Sequence, residues 1–243
     1  EKGHKWWLIP AVIFGGGIFS TFFITVQNYT VSEAVSAAFG IKIIYASIIY
    51  IICNYILIIG GIKSLGKLAG KIVPIMCVFY VGAALYIVAI NIGNLPATLG
   101  LVFKGAFTGT AAAGGFAGAA FSQVMRIGMA RSVFSNEAGW GSSPMIHASA
   151  QTDHPIKQGL WGAFEVFVDT IVVCTLTCLV IIITGVWSSG ATGATLTLNA
   201  FETGMGSASK IFIATGIFLF GVTTSSGWYA YYEIMLRHLM KSS

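Results

Sequence analysis

Between Lys42 and Lys63 the chain runs from Ile43 to Ile62 without a charge, and four further stretches do the same: Trp6–Val26, Ile72–Ile92, Gly105–Met125 and Ile211–Tyr232. A helix of about 20 apolar residues crosses the hydrocarbon core of a bilayer. Each run is that long. A sixth, Gly159–Trp187, carries only Glu165 and Asp169. These spans leave little sequence for a water-soluble core: charged residues are 9% of the chain, against roughly 25% in soluble domains. The runs are too long and too evenly apolar for the strands of a membrane β-barrel. The expectation is an all-α polytopic membrane protein, with residues 1–243 forming a single transmembrane domain in the cell membrane.

The basic residues give this count an orientation. If the six spans alternate, one side holds Lys2, Lys5, Lys63, Lys67, Lys71, Arg126, Arg131, Lys157, Arg237 and Lys241. The other holds Lys42, Lys104 and Lys210. Cytoplasmic loops carry the excess of lysine and arginine, so both ends are expected in the cytoplasm. Basic residues scattered in this way do not make the patch that binds nucleic acid. The cysteines, Cys53, Cys77, Cys174 and Cys178, fall inside apolar spans and read as small hydrophobes with free thiols.

The run Gly105–Met125 is unusual in composition. Gly114, Gly115 and Gly118 lie in its middle among alanines, and each mid-helix glycine costs roughly 1 kcal/mol relative to alanine. Glycine-interrupted apolar segments point to binding sites in transporters, because freed backbone groups cannot face lipid. Small residues also let helices pack closely, and composition does not separate the two readings. Pro74 stands near the start of the third span, where proline is tolerated. Trp228, Tyr229, Tyr231 and Tyr232 read as an interfacial aromatic belt. The segment from Ser188 to Ser209 is expected to carry a short surface helix.

Several polar residues invite chemistry. Glu165 and Asp169 share a helical face, and ionising both is unfavourable unless one takes a cation or a proton; the alternative is a wet, cytoplasmic first turn for this span. Thr223, Thr224, Ser225 and Ser226 are a run of hydroxyls inside the last span. Hydroxyl oxygens suit a hard cation such as sodium, and hydroxyls also glue helices together. Gln27 and Asn28 close the first span with amides able to bond a substrate carboxylate or amine. Glu137 has Arg126 and Arg131 as neighbours in sequence. His147, Asp153 and His154 lie without the Gly-x-Ser-x-Gly or His-Glu-x-x-His context of a hydrolase, so an enzyme is not expected.

Three segments carry a resemblance. RIGMARSVFSNEAGWGSSPMIHASAQTDHPIKQG (Arg126–Gly159), GGIKSLGKLAGKIVPIM (Gly60–Met76) and FVDTIVVCT (Phe167–Thr175) resemble the alanine or glycine:cation symporter family. The resemblance implies a leucine-transporter-type inverted-repeat fold, of which this chain looks like core helices three to eight of a longer carrier. It implies sodium-coupled symport of a small neutral amino acid, alanine or glycine, by alternating access, with a proton as the other coupling ion. By position it implies substrate contacts at Gln27, Gly114, Gly115, Phe116 and Gly118, and sodium ligands at Thr223 and Thr224. Asn136, Glu137 and Asp169 are implied as gate or structural residues. The other class of reading is a non-transporting membrane subunit or sensor that keeps the fold.

Overall fold

The computed structural model describes residues 6, 8–20, 23–107, 117–137 and 141–241. They form α1 (Leu8–Ser20), α2 (Phe23–Phe39), α3 (Ile43–Ile59), α4 (Gly61–Ile90), α5 (Leu95–Phe107), α6 (Ala117–Asn136), α7 (Ser142–His147), α8 (Pro155–Phe167), α9 (Thr175–Ile183), α10 (Gly193–Met205) and α11 (Ser207–Lys241). A π-helical turn, Val168–Cys174, joins α8 to α9 without interruption. No strand occurs among the described residues. Three helical stretches, Leu65–Ile90, Pro155–Ile183 and Ser207–Arg237, are long and apolar enough to cross a membrane. Much of the hydrophobic surface faces outward: Ile51, Ile52, Ile56 and Ile59 of α3 are all exposed.

The helix boundaries follow local chemistry. Lys63, Lys67 and Lys71 recur every fourth residue, which places them on one helical face, and α4 runs through them from Gly61. Pro74 is therefore interior to α4, not at a helix start. It removes one backbone hydrogen bond from the helix. At the start of α8, Pro155 takes the first helical position, where no intrahelical N–H is needed. The His154 ring caps that end by accepting from the Ile156 amide at 3.3 Å.

The chain divides into two compact units. One comprises residues 1–77, 193–198 and 210–243. Its core holds Val31, Tyr50 and Val222, with Val35, Cys53, Leu57, Ile217 and Phe218 packed against them. Asn28 of α2 donates to Ser47 of α3 at 2.7 Å and accepts from Ser32 at 3.1 Å. Glu33 receives the Thr195 hydroxyl at 3.0 Å, which sets a carboxylate against the first turn of α10. Backbone N–H groups there favour negative charge. Gly221 is required where it stands: a Cβ there would run into the Val31 side chain.

The other unit comprises residues 78–192 and 199–209. Tyr80 is hydrogen-bonded to Thr177 at 2.6 Å, and its ring lies 5.3 Å from that of Phe201. Gly204 lets α10 approach α4 closely, since a Cβ at that position would come within 2.8 Å of Ile87.

The segment after Ser188 holds a helix, α10, whose Ala194, Leu198, Ala200 and Phe201 are buried while Thr203 and Met205 are exposed. One further sequence expectation changes here, at Trp228. Trp228 is not an interfacial residue in this chain. It is 1% exposed and packs edge-on to Tyr231, with ring centroids 5.2 Å apart. Residues three apart on a helix share a face, so the aromatic run folds partly onto itself.

Candidate functional site

The hydroxyl run of α11 is divided between residues that bond α3 and residues that do not. Successive helical residues are rotated by roughly 100°. Ser225 and Ser226 therefore turn towards α3, and both are buried. The Tyr50 hydroxyl donates to the Gly221 carbonyl at 2.7 Å and lies 2.6 Å from the Ser225 hydroxyl, which donates in return. Asn54 donates to the Tyr50 carbonyl at 2.9 Å. Its side-chain oxygen stands 3.3 Å from the Ser226 hydroxyl, which also reaches the Val222 carbonyl at 2.8 Å. These bonds form a clasp between α3 and α11.

Thr223, three residues before Ser226, flanks that side of the helix, and Thr224 is turned farther from it. Thr223 shares its hydroxyl proton between the carbonyls of Leu219 and Phe220, at 3.1 and 2.9 Å. Thr223 is half-buried. Thr224 is exposed. Tyr50 and Asn54 were not evident from sequence as partners of this run. The signal was an asparagine and a tyrosine spaced by four in an otherwise apolar span.

A second polar cluster lies where α6 ends. Ser135 donates to Asp169 at 2.8 Å and lies 3.6 Å from the Cys174 thiol. Asn136 donates to the Thr170 hydroxyl at 3.3 Å. The π turn explains this grouping. Residues five apart diverge on an α-helix but come close to alignment when the hydrogen bonds run from i to i+5. Asp169 and Cys174 can thus meet the same serine. Glu137 follows at φ 54°, a left-handed conformation that few non-glycine residues adopt. Its carboxylate accepts from Ser142 at 2.8 Å. Asn136, Glu137 and Asp169 are thus gathered in one region of one unit. Arg126 and Arg131 are exposed.

Glu165 and Asp169 do not share partners. Glu165 meets His147 Nε2 at 3.2 Å, while Gln158 bonds the other ring nitrogen at 2.7 Å. Gly162 makes room for this ring, since a Cβ there would stand 3.3 Å from Nε2.

Of the residues implied for substrate, Gln27 is half-buried on α2, one position before the Asn28–Ser47 bond. Gly118 falls in the first turn of α6. Gly114, Gly115 and Phe116 lie outside the described residues. An apolar groove of about 600 Å³, lined by Leu101, Val102, Cys178, Ile182 and Trp187 with Lys104 beside them, includes none of the candidate residues.

Comparison with known proteins places this arrangement. The model of the sodium:alanine symporter family matches residues 3–243. The chain is 40% identical over 204 residues to the uncharacterized transporter YflA of Bacillus subtilis, covering 83% of this chain and 43% of that protein. It is 41% identical over 225 residues to the "Probable sodium/glutamine symporter GlnT" of the same organism, covering 92% and 46%. It is 40% identical over 230 residues to the sodium/alanine symporter AgcS of Methanococcus maripaludis, covering 92% and 50%. The chain spans about half the length of the curated relatives it matches. With the family's model matching from residue 3 to residue 243, the chain belongs to the sodium:alanine symporter family.

Proposed function

We propose that this chain is part of a carrier that moves a small neutral amino acid, alanine or glycine, across the cytoplasmic membrane together with sodium. The observation that carries this reading is the family match over residues 3–243. Relatives named as sodium/alanine symporters and as sodium/proton-dependent alanine carriers support the coupling to a cation. In this reading the described helices belong to one transmembrane domain of the leucine-transporter type, with both ends of the chain in the cytoplasm.

Thr223 and Thr224 are assigned to the sodium ion. A cation needs oxygen lone pairs rather than protons. Thr223 supports this, because its proton is already engaged by its own helix. The clasp to α3 supports it as well, by fixing the rotation of the helix that carries both threonines. The substrate carboxylate is assigned to freed backbone amides of the segment containing Gly114, Gly115, Phe116 and Gly118, where a half-helix end favours negative charge. Gln27 is assigned to face the substrate. Sodium binding favours the outward-open state and steadies the substrate site. A rocking motion then exposes the substrate to the cytoplasm by alternating access. Asn136, Glu137 and Asp169 are assigned to the gate. Their bonds to Thr170, Ser142 and Ser135 are hydroxyl contacts that can be exchanged as helices move.

Reconstitution of the full-length protein into proteoliposomes tests the proposal. An imposed sodium gradient is expected to drive uptake of labelled alanine or glycine, with glutamine as the comparison substrate. Uptake of none of these under a sodium gradient refutes it.

A further inference from the structure

The clasp between α3 and α11 has no part in the reading above beyond its effect on orientation, and that effect is specific. We infer that Tyr50 and Asn54 are positioning residues for the cation site: they fix the rotation of α11, the helix that carries Thr223 and Thr224. The inference rests on the assignment of sodium to those two threonines.

The geometry supports it in three ways. First, the clasp grips two successive levels of one face. Tyr50 holds Gly221 and Ser225, one helical turn apart, while Asn54 meets Ser226. Asn54 is itself tied to Tyr50 through the Tyr50 carbonyl. A turn of α11 by one residue, roughly 100°, breaks all three contacts. Second, the clasp is sealed. Tyr50, Asn54, Ser225 and Ser226 are 1%, 8%, 2% and 0% exposed. Water cannot replace a bond lost there, so each bond resists rotation more than a surface bond does. Third, glycine at 221 admits Tyr50 and Val31 to the backbone itself. A Cβ there would stand 3.3 Å from the Tyr50 hydroxyl and would collide with Val31. Tyr50 therefore bonds a main-chain carbonyl, which reports the rotation of the helix directly. Hydroxyls that served only as glue would leave Thr223 and Thr224 unaffected by their loss.

The test is sodium activation of amino-acid uptake by the full-length protein in proteoliposomes. Tyr50→Phe keeps the ring and its edge contact with Phe218 and removes the bridging hydroxyl. The half-saturating sodium concentration is expected to rise about three- to tenfold, the scale of one hydrogen bond. The KM for amino acid at saturating sodium is expected to stay at the wild-type value. Ser225→Ala removes one of the two bonds of that hydroxyl and leaves its bond to Gly221, so it is expected to shift sodium activation in the same direction by less. It covers the case in which Tyr50→Phe does not fold. The double variant is expected to show no more shift than Tyr50→Phe alone. A wild-type sodium dependence in a folded single variant overturns the inference, as does a fall in maximal uptake alone. Thr223→Val and Thr224→Val separate the two claims. If they shift sodium activation and the clasp variants do not, the positioning role fails and the cation assignment stands. If neither threonine variant shifts it, the assignment fails and the inference falls with it.

Discussion

The clasp between α3 and α11 and the cluster at the end of α6 use the same side-chain types in different ways. Both join a helix end or face to a neighbour through hydroxyls and an asparagine amide. In the clasp every member is neutral and buried, and each side chain donates to an acceptor inside the protein. In the α6 cluster a carboxylate, Asp169, is held by a serine that is itself exposed. Breaking the first contact leaves an unsatisfied polar group in an apolar interior, at a cost of about 1–3 kcal/mol. Breaking the second lets Ser135 find another partner. The first arrangement suits a fixed frame and the second suits a part that moves.

The strongest way to break this comparison is at the frame. Gly221→Val adds a branched side chain where even a Cβ meets Val31. Overpacking of this kind costs typically about 1–3 kcal/mol, and the midpoint of thermal unfolding in detergent is expected to fall accordingly. An unchanged midpoint removes the frame from the account. The next test is Asp169→Leu, which removes the carboxylate that accepts from both Ser135 and Thr170. Transport is expected to drop about tenfold, because two hydroxyls lose a charged acceptor. Asp169→Asn keeps an acceptor and sharpens the result: an equal loss in both variants assigns the effect to charge, a smaller loss in asparagine to the bond. Ser135→Ala is expected to change maximal uptake by no more than about threefold, because the bond it removes is solvent-accessible. The smallest effect is expected from Asp153→Asn. Its pair with Lys157 spans 2.7 Å, but both side chains are largely exposed, and such pairs rarely contribute measurably. A clear loss of stability there shows that the loop before α8 is packed more firmly than the bond pattern implies.

Part of this was readable in advance. Charge-free runs such as Ile43–Ile62 announced helices because only a helix satisfies its own backbone in lipid. The hydroxyl run from Thr223 to Ser226 was visible as a unit. Which of its hydroxyls are buried was not, because Ser225 and Ser226 meet Tyr50 and Asn54, far away in sequence. The π turn left no mark in residue type. Val168–Cys174 reads as an ordinary apolar segment with one aspartate, and only the shared contacts of Asp169 and Cys174 reveal the wider spacing. The lysines of α4 looked like a loop because charge was taken to end a span, although their spacing by four continues a helix. Trp228 looked interfacial by type, yet it is buried and meets Tyr231 edge-on.

The cation site assigned to α11 stands or falls with Thr223 and Thr224. The most direct measurement is the sodium concentration dependence of labelled alanine uptake by Thr224→Val beside the unaltered full-length protein, at matched amounts in the same vesicles. A rightward shift of about tenfold or more, the scale of a lost bond to a charged group, is the predicted result. Superimposable curves, or uptake indifferent to sodium in both proteins, contradict it.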